Sequence, residues 1–126
     1  MGHHSLDRIG RNIEGNPNIA AGVHYNIGLV FYDEGKLDEA VTEFRTAIGL
    51  QPDLADVHCD LGLALSDKGK VTEAATAFRE AIRLNRNDAE AHYGLAVILG
   101  AQGKKRQAND EYNIAIQLKP ELRGTN

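Results

Sequence analysis

The stretch AGVHYNIGLVFYDEGKLDEAVTEFRTAIGLQPDL, residues 21–54, decides the fold, because its pattern returns at 55–88 and again at 89–122. At this period of 34 residues, identical amino acids stand in triple columns: Ala21/Ala55/Ala89, His24/His58/His92, Gly35/Gly69/Gly103, Lys36/Lys70/Lys104, Ala40/Ala74/Ala108, Ala47/Ala81/Ala115, Ile48/Ile82/Ile116 and Leu50/Leu84/Leu118. A fixed period of this size marks a chain of stacked units, each too small to bury a core alone. The functional expectation moves with it, from catalysis toward the presentation of a binding surface.

Within one unit the apolar spacing is helical. Ile27, Leu29, Val30 and Phe31 follow His24 in register, with Gly28 among them. A glycine inside a helix costs about 1 kcal/mol relative to alanine. Its return at Gly62, with the small Ala96 as third member, therefore predicts the close passage of another helix. The helix is predicted to stop at Gly35, Gly69 and Gly103, where glycine supplies a left-handed C-terminal cap. A second helix is predicted from Leu37, Ala40, Val41, Phe44, Ala47 and Ile48, which keep the i, i+3, i+4, i+7 spacing of an amphipathic helix. Asp38 and Glu39 suit the positive end of its dipole. Pro52 closes the unit and Asp53 is expected to cap the next helix. Small alanines facing one aromatic column, Phe44, Phe78 and Tyr112, suit two closely packed antiparallel helices.

The composition agrees with one globular domain of 126 residues, 42% hydrophobic and 25% charged. A net charge of −4 argues against non-specific nucleic-acid binding, which depends on neutralising phosphates. The single Cys59 cannot form an internal disulfide, and no apolar run is long enough to span a membrane, so the expected location is cytoplasmic. Residues 1–4, MGHH, look like part of an expression tag. Leu6, Ile9 and Ile13 have helical spacing and Asn16-Pro17-Asn18 looks like a unit terminus, so residues 1–20 are read as a tag remnant plus a partial or capping helix. At the other end Lys105 and Asn109 replace the apolar Leu37/Val71 and Val41/Ala75, the polar face that a terminal unit needs. The residues after 120 are too few for a separate capping helix, and 123–126 form a tail. Ile116 and Leu118 are therefore expected to stay partly exposed, covered by another copy or by a further segment.

No constellation carries chemistry. The three column histidines cannot share a zinc ion: each is a helix pair from the next, helices pack about 8–10 Å apart, and zinc ligands lie about 2 Å from the metal. They read as packing and hydrogen-bonding residues between helices. Cys59 has His58 beside it, but adjacent helical residues point apart, so it reads as a small, partly buried side chain. Phosphate-binding loop, zinc-protease and nucleophile-elbow motifs are absent. Lys104, Lys105 and Arg106 read as a solvated charge run. No metal, cofactor or catalytic residue is expected, and the chain is not expected to be an enzyme.

Residues 21–122 resemble the tetratricopeptide repeat (TPR). Each unit carries the family's order of landmarks: His24, Ile27-Gly28, Phe31, Ala40, Phe44, Ala47 and Pro52, then His58, Leu61-Gly62, Leu65, Ala74, Phe78, Ala81 and Arg86, then His92, Leu95-Ala96, Leu99, Ala108, Tyr112, Ala115 and Pro120. Arg86 replaces a proline, and histidine stands where tryptophan or leucine is usual. The resemblance implies an all-α solenoid of three helix-turn-helix units, 21–54, 55–88 and 89–122, in a right-handed superhelix with a concave groove lined by the first helix of each pair. The implied groove positions are Tyr25, Leu29 and Tyr32, then Asp56, Cys59, Asp60 and Leu63, then Glu90, Tyr93, Gly94 and Val97. Tyrosines with aliphatic neighbours hold a peptide by apolar contact and hydroxyl hydrogen bonds, and the carboxylates favour a neutral or basic partner over an acidic one.

Two subtypes of the family are tested by position. The clamp for acidic chaperone tails needs Lys, Asn, Asn, Lys and Arg, where this chain has Tyr25, Leu29, Asp60, Glu90 and Gly94. The asparagine ladder of protein-serine glycosyltransferases is met only by Asn26, with Asp60 and Gly94 at the other rungs. The expected function is a protein–protein interaction module that binds a peptide or helix of a partner. The alternatives are a regulatory fragment of a larger enzyme and a scaffold that self-assembles through its groove or its uncapped ends.

Overall fold

The structure, a computed structural model, describes residues 15–124. The tag-like residues 1–4 and the spaced Leu6, Ile9 and Ile13 lie outside the described residues. The described chain is all-helical: α1 Pro17–Asp33, α2 Leu37–Leu50, α3 Ala55–Asp67, α4 Val71–Leu84, α5 Ala89–Ala101, α6 Lys105–Leu118, and a closing 3-10 turn, Pro120–Arg123. It divides into two compact units, one ending at Asp53 and the other beginning at Leu54. In the first, α1 packs on α2. In the second, α3 packs on α4 and α5 on α6; α4 also packs on α5, and α3 touches α5.

The predicted stops are where the helices end. Gly35, Gly69 and Gly103 have φ of 77°, 79° and 78°. Around each, two backbone bonds satisfy the last carbonyls: Lys36 N donates to Phe31 O at 2.9 Å and Gly35 N to Tyr32 O at 3.0 Å, with the same pair at Lys70/Gly69 and Lys104/Gly103. This is the Schellman arrangement, which needs a residue at ease in the left-handed region. Helix starts are less regular. α1 begins four residues before its column residue Ala21, because the Asn16 side chain accepts from Asn18 N at 3.0 Å and Ile19 N at 3.4 Å and Pro17 takes the first helical position, where its missing N–H costs nothing. Asp53 does not cap α3: the N-cap is Leu54, with no side-chain bond. The cap appears one period later at that same position, where Asp88 accepts from Ala91 N at 3.1 Å.

The core of each pair is an aromatic ring set against glycine. Phe44 and Phe78 are 0% and 1% exposed. A Cβ on Gly28 would stand 2.6 Å from the Phe44 ring, and one on Gly62 2.8 Å from the Phe78 ring. The repeated glycine thus reports an approach that no larger residue permits. Phe78 is held from a second side as well, since a Cβ on Gly94 would come within 2.5 Å of it. Gly94 therefore belongs to the α4–α5 packing and not to an open surface.

The histidine column is structural, as its spacing implies. His24 Nδ1 lies 2.7 Å from Glu43 Oε2, and His92 Nδ1 lies 2.6 Å from Glu111 Oε2. His92 Nε2 also donates to the Arg86 carbonyl at 2.9 Å. The two glutamate contacts each tie the two helices of one pair, and the Arg86 contact ties α5 to the loop that precedes it. The middle pair has Ala77 at the glutamate position, and His58 there is buried.

The chain's end departs from expectation. Ile116 is buried, 6% exposed, and only Leu118, at 40%, stays open. The 3-10 turn packs on α6 and brings the Arg123 carbonyl to 3.4 Å from the Tyr112 hydroxyl, its donor.

Candidate functional site

The first helix of each pair carries the expected contact positions. On α5, Glu90, Tyr93, Val97 and Ala101 fall at i, i+3, i+7 and i+11 and are all exposed, with Tyr93 at 38% and Val97 at 53%. That spacing is one helical stripe. On α3 the positions one period earlier are Asp56, Cys59, Leu63 and Asp67, with Asp60 next to Cys59 in sequence, and all but Cys59 are exposed or half-buried. Because α3 touches α5, these two stripes stand on neighbouring helices of one unit. On α1, Tyr25, Leu29 and Tyr32 are half-buried.

The tyrosines are anchored by their own pair. The Tyr93 ring lies 6.0 Å from Tyr112 at 49°, and Tyr25 lies 6.0 Å from Phe44 at 51°. These tilted contacts fix the rings and leave one face of Tyr93 to solvent. An aromatic surface held in one rotamer loses little entropy when it is covered.

Cys59, at the position equivalent to Tyr25 and Tyr93, is different: it is buried, 5% exposed. Burial, reinforced by the carboxylates of Asp88, Asp60, Glu90 and Asp56, pushes its thiol far above the usual range. It stays protonated, and a thiol is a poor nucleophile and a poor metal ligand. Its side chain is wall rather than contact surface.

The same four carboxylates mark an acidic rim at the start of α3 and α5. A depression of about 350 Å³ opens there, lined among others by Asp56, Asp88, Glu90 and Lys119. Lys119 Nζ reaches Glu90 Oε1 at 3.2 Å, so one cation partly balances the rim. Sequence reading missed Asp88 and Lys119. The period hints at Asp88, which opens a helix as Leu54 does, but Lys119 reaches the rim only through the fold. No group of histidine, cysteine, aspartate and glutamate among the described residues has the geometry to hold a metal ion. Lys104, Lys105 and Arg106 are exposed. No helix among the described residues is long and apolar enough to cross a membrane.

Comparison with known proteins places this geometry. The family model described as TPR repeat matches residues 28–69 and 64–103. Among solved structures, a crystal structure of MamA is similar, with a TM-score of 0.80 and 24% identity, over 90% of this chain and 67% of that one. The TPR domain of Arabidopsis OM64 is similar with a TM-score of 0.82 and 18% identity, over 83% of this chain and 87% of that one. The first TPR of Spaghetti (RPAP3), bound to the HSP90 peptide SRMEEVD, has a TM-score of 0.80 and 22% identity, with 82% of each chain covered. No curated protein matches the chain.

Proposed function

The chain belongs to the TPR repeat family, whose fold is that of a protein–protein interaction module, and from that premise we propose that it takes a neutral or basic peptide or short helix of a partner across the stripes of α3 and α5. The observation that carries this reading is the exposed Tyr93–Val97 pair on α5, with Glu90 on the same stripe and Asp56, Asp60 and Leu63 on the neighbouring α3. An apolar anchor inside a one-signed rim selects both for an apolar side chain and for a compensating charge. Tyr25, Leu29 and Tyr32 are the corresponding contact positions of the first pair.

The acidic chaperone-tail mode is disfavoured by the same residues. Where a clamp for two carboxylates needs cations and amides, this chain has Tyr25, Leu29, Asp60, Glu90 and the buried Gly94. A peptide such as SRMEEVD would meet carboxylates and a packed backbone there.

The test is selection from a random peptide display library, followed by anisotropy titration of the winners. The expected winners are neutral or basic with an apolar pair, and the peptide SRMEEVD shows no saturable binding. Tyr93→Ala combined with Tyr25→Ala is expected to abolish capture while circular dichroism keeps the helical signal. Acidic winners, or binding that survives the double change, would sink the reading.

A further inference from the structure

At the start of α5, Glu90 is already held by a cation of the same chain. Lys119 Nζ lies 3.2 Å from Glu90 Oε1, a pair separated by 29 residues of sequence. The cation is particular to this unit, since one and two periods earlier the position of Lys119 holds the neutral Asn85 and Gln51. The Lys119 backbone is fixed on both sides: its N–H donates to the Ala115 carbonyl at 2.8 Å, and its carbonyl accepts from Leu122 N at 3.0 Å. Only the side chain is left to swing. The Lys119 and Glu90 side chains are 42% and 63% exposed, and exposed pairs contribute little net stability. Such a pair forms, and an incoming charge can replace it.

The depression around this pair has the chemistry that a long basic side chain needs. Its volume of about 350 Å³ falls within the ~300–1,000 Å³ of ligand pockets. Leu118 and Ala89 give it apolar lining, and Leu118 is exposed. Lysine and arginine lay their methylene stems along such surface and keep the charged head among carboxylates and water. Asp56, Asp88 and Glu90 supply the carboxylates, and Asp88 is oriented by its cap bond to Ala91 N at 3.1 Å. Lys119 shows a group of this class seated there. We propose that the depression is the subsite for one lysine or arginine side chain of the partner peptide, and that Lys119 is its tethered competitor, displaced from Glu90 as the peptide binds. This subsite rests on the reading of α3 and α5 as the peptide surface. To that reading it adds a charged anchor point and a built-in brake on affinity.

The test is a titration of the full chain with Nα-acetyl-arginine amide at constant ionic strength, followed by amide chemical shifts. This probe carries no apolar pair for Tyr93 and Val97, so it reports the depression alone. Saturable shifts are expected at the amides of residues 87–90 and 118–119. Lys119→Gln is expected to lower the probe's Kd about 2–5-fold, the scale of an exposed pair. In a Glu90→Gln background the same change is expected to do nothing, because the pair it would release is already gone. Lys70→Gln makes the same change in net charge beyond the far end of α3, about 20 Å from Asp56 at 1.5 Å per residue, and is expected to leave Kd unchanged. Shifts that do not saturate, a Kd that Lys119→Gln leaves unchanged or raises, or an equal gain from Lys70→Gln would each overturn the proposal. The peptide reading is judged separately. Selected peptides that depend on Tyr93 and Tyr25 but gain nothing from Lys119→Gln would remove the subsite and leave the groove standing. A probe that saturates here, beside peptides indifferent to both tyrosines, would keep the cation site and remove the groove.

Discussion

At the scale of single residues, the strongest determinant is the fit of Phe78 between two glycines. Gly62 comes from its own pair and Gly94 from the next, and each would put a Cβ under 3.0 Å from the ring. A buried, 1% exposed ring has no room to yield. Gly62→Leu is therefore expected to cost about 3 kcal/mol, at the upper end of overpacking effects, measured by urea denaturation. A loss below about 1 kcal/mol, in the range of ordinary surface substitutions, would mean that the close approach does not constrain the fold. The two glycines also show what a sequence reveals. Gly62 was legible because Gly28 and Ala96 repeat its smallness. Gly94 was not, because its column holds Asn26 and Asp60 and looked like a row of groove residues; only packing distinguishes a glycine that must be small from one that is merely open.

Cys59 makes a second residue-scale prediction, with a sign. Its thiol is held protonated in the folded chain by burial and four nearby carboxylates, whereas in the unfolded chain it ionises near the ordinary value of about 8.5. Above that pH the unfolded state loses a proton that the folded state keeps. Stability must then fall as pH rises. Cys59→Ala is expected to remove this alkaline loss, seen as a shallower decline of the urea midpoint between neutral and alkaline pH. Ellman's reagent should label Cys59 slowly in native buffer and completely in denaturant. Fast native labelling would show an accessible thiolate and return Cys59 to the list of contact residues.

At the scale of elements, boundaries follow from local chemistry that the period only partly encodes. The three helix ends were legible because one glycine repeats at each, and the left-handed φ there is costly for any other residue. No atom lies within 4 Å of a Cβ built on Gly69, so Gly69→Ala isolates the backbone term and is expected to cost about 1–2 kcal/mol. Helix starts were less legible: the expected cap Asp53 gives way to Leu54, since several polar residues cluster before each helix and any of them can serve as cap. The clips between helices were half legible: the histidines were columns, but Glu43 and Glu111 are broken by Ala77 and formed no triple. Their burial ranks them. The His92 side chain is 7% exposed against 36% for His24. Truncating Glu111 therefore abandons a buried imidazole nitrogen, while truncating Glu43 leaves one that water reaches. Glu111→Ala is expected to cost about 1–3 kcal/mol and Glu43→Ala clearly less, by thermal denaturation of the two single variants. Equal losses would mean that solvent access at the two sites is alike.

At the scale of the whole molecule, the sequence is uneven in a telling way. The period, being a property of packing, made the all-helical architecture of the described residues and their six α-helices legible in advance. The surface that binds is what the period leaves free to vary, so the contact positions were legible by place and not by partner. What the fold added was convergence. Asp56, Asp60, Asp88 and Glu90, spread over two repeats, all act on the Cys59 thiol, so their charges sum at one rim on a molecule of net charge −4. A rim of this kind works mainly through encounter and selectivity: exposed charges about a Debye length apart, roughly 8 Å at physiological salt, still add their fields. For a basic peptide obtained by selection, Asp56→Asn and Glu90→Gln are each expected to raise Kd about 2–5-fold, the scale of an exposed pair, and to flatten the dependence of affinity on salt. Asp110→Asn makes the same change in net charge on an exposed position of α6, on the second helix of its pair, and is expected to leave both quantities unchanged. The control decides between local and global electrostatics. If all three variants weaken binding equally, the peptide is responding to overall charge and the rim is not its site. If only the first two do, the acids bordering Tyr93 are what turn a packed repeat into a selective surface.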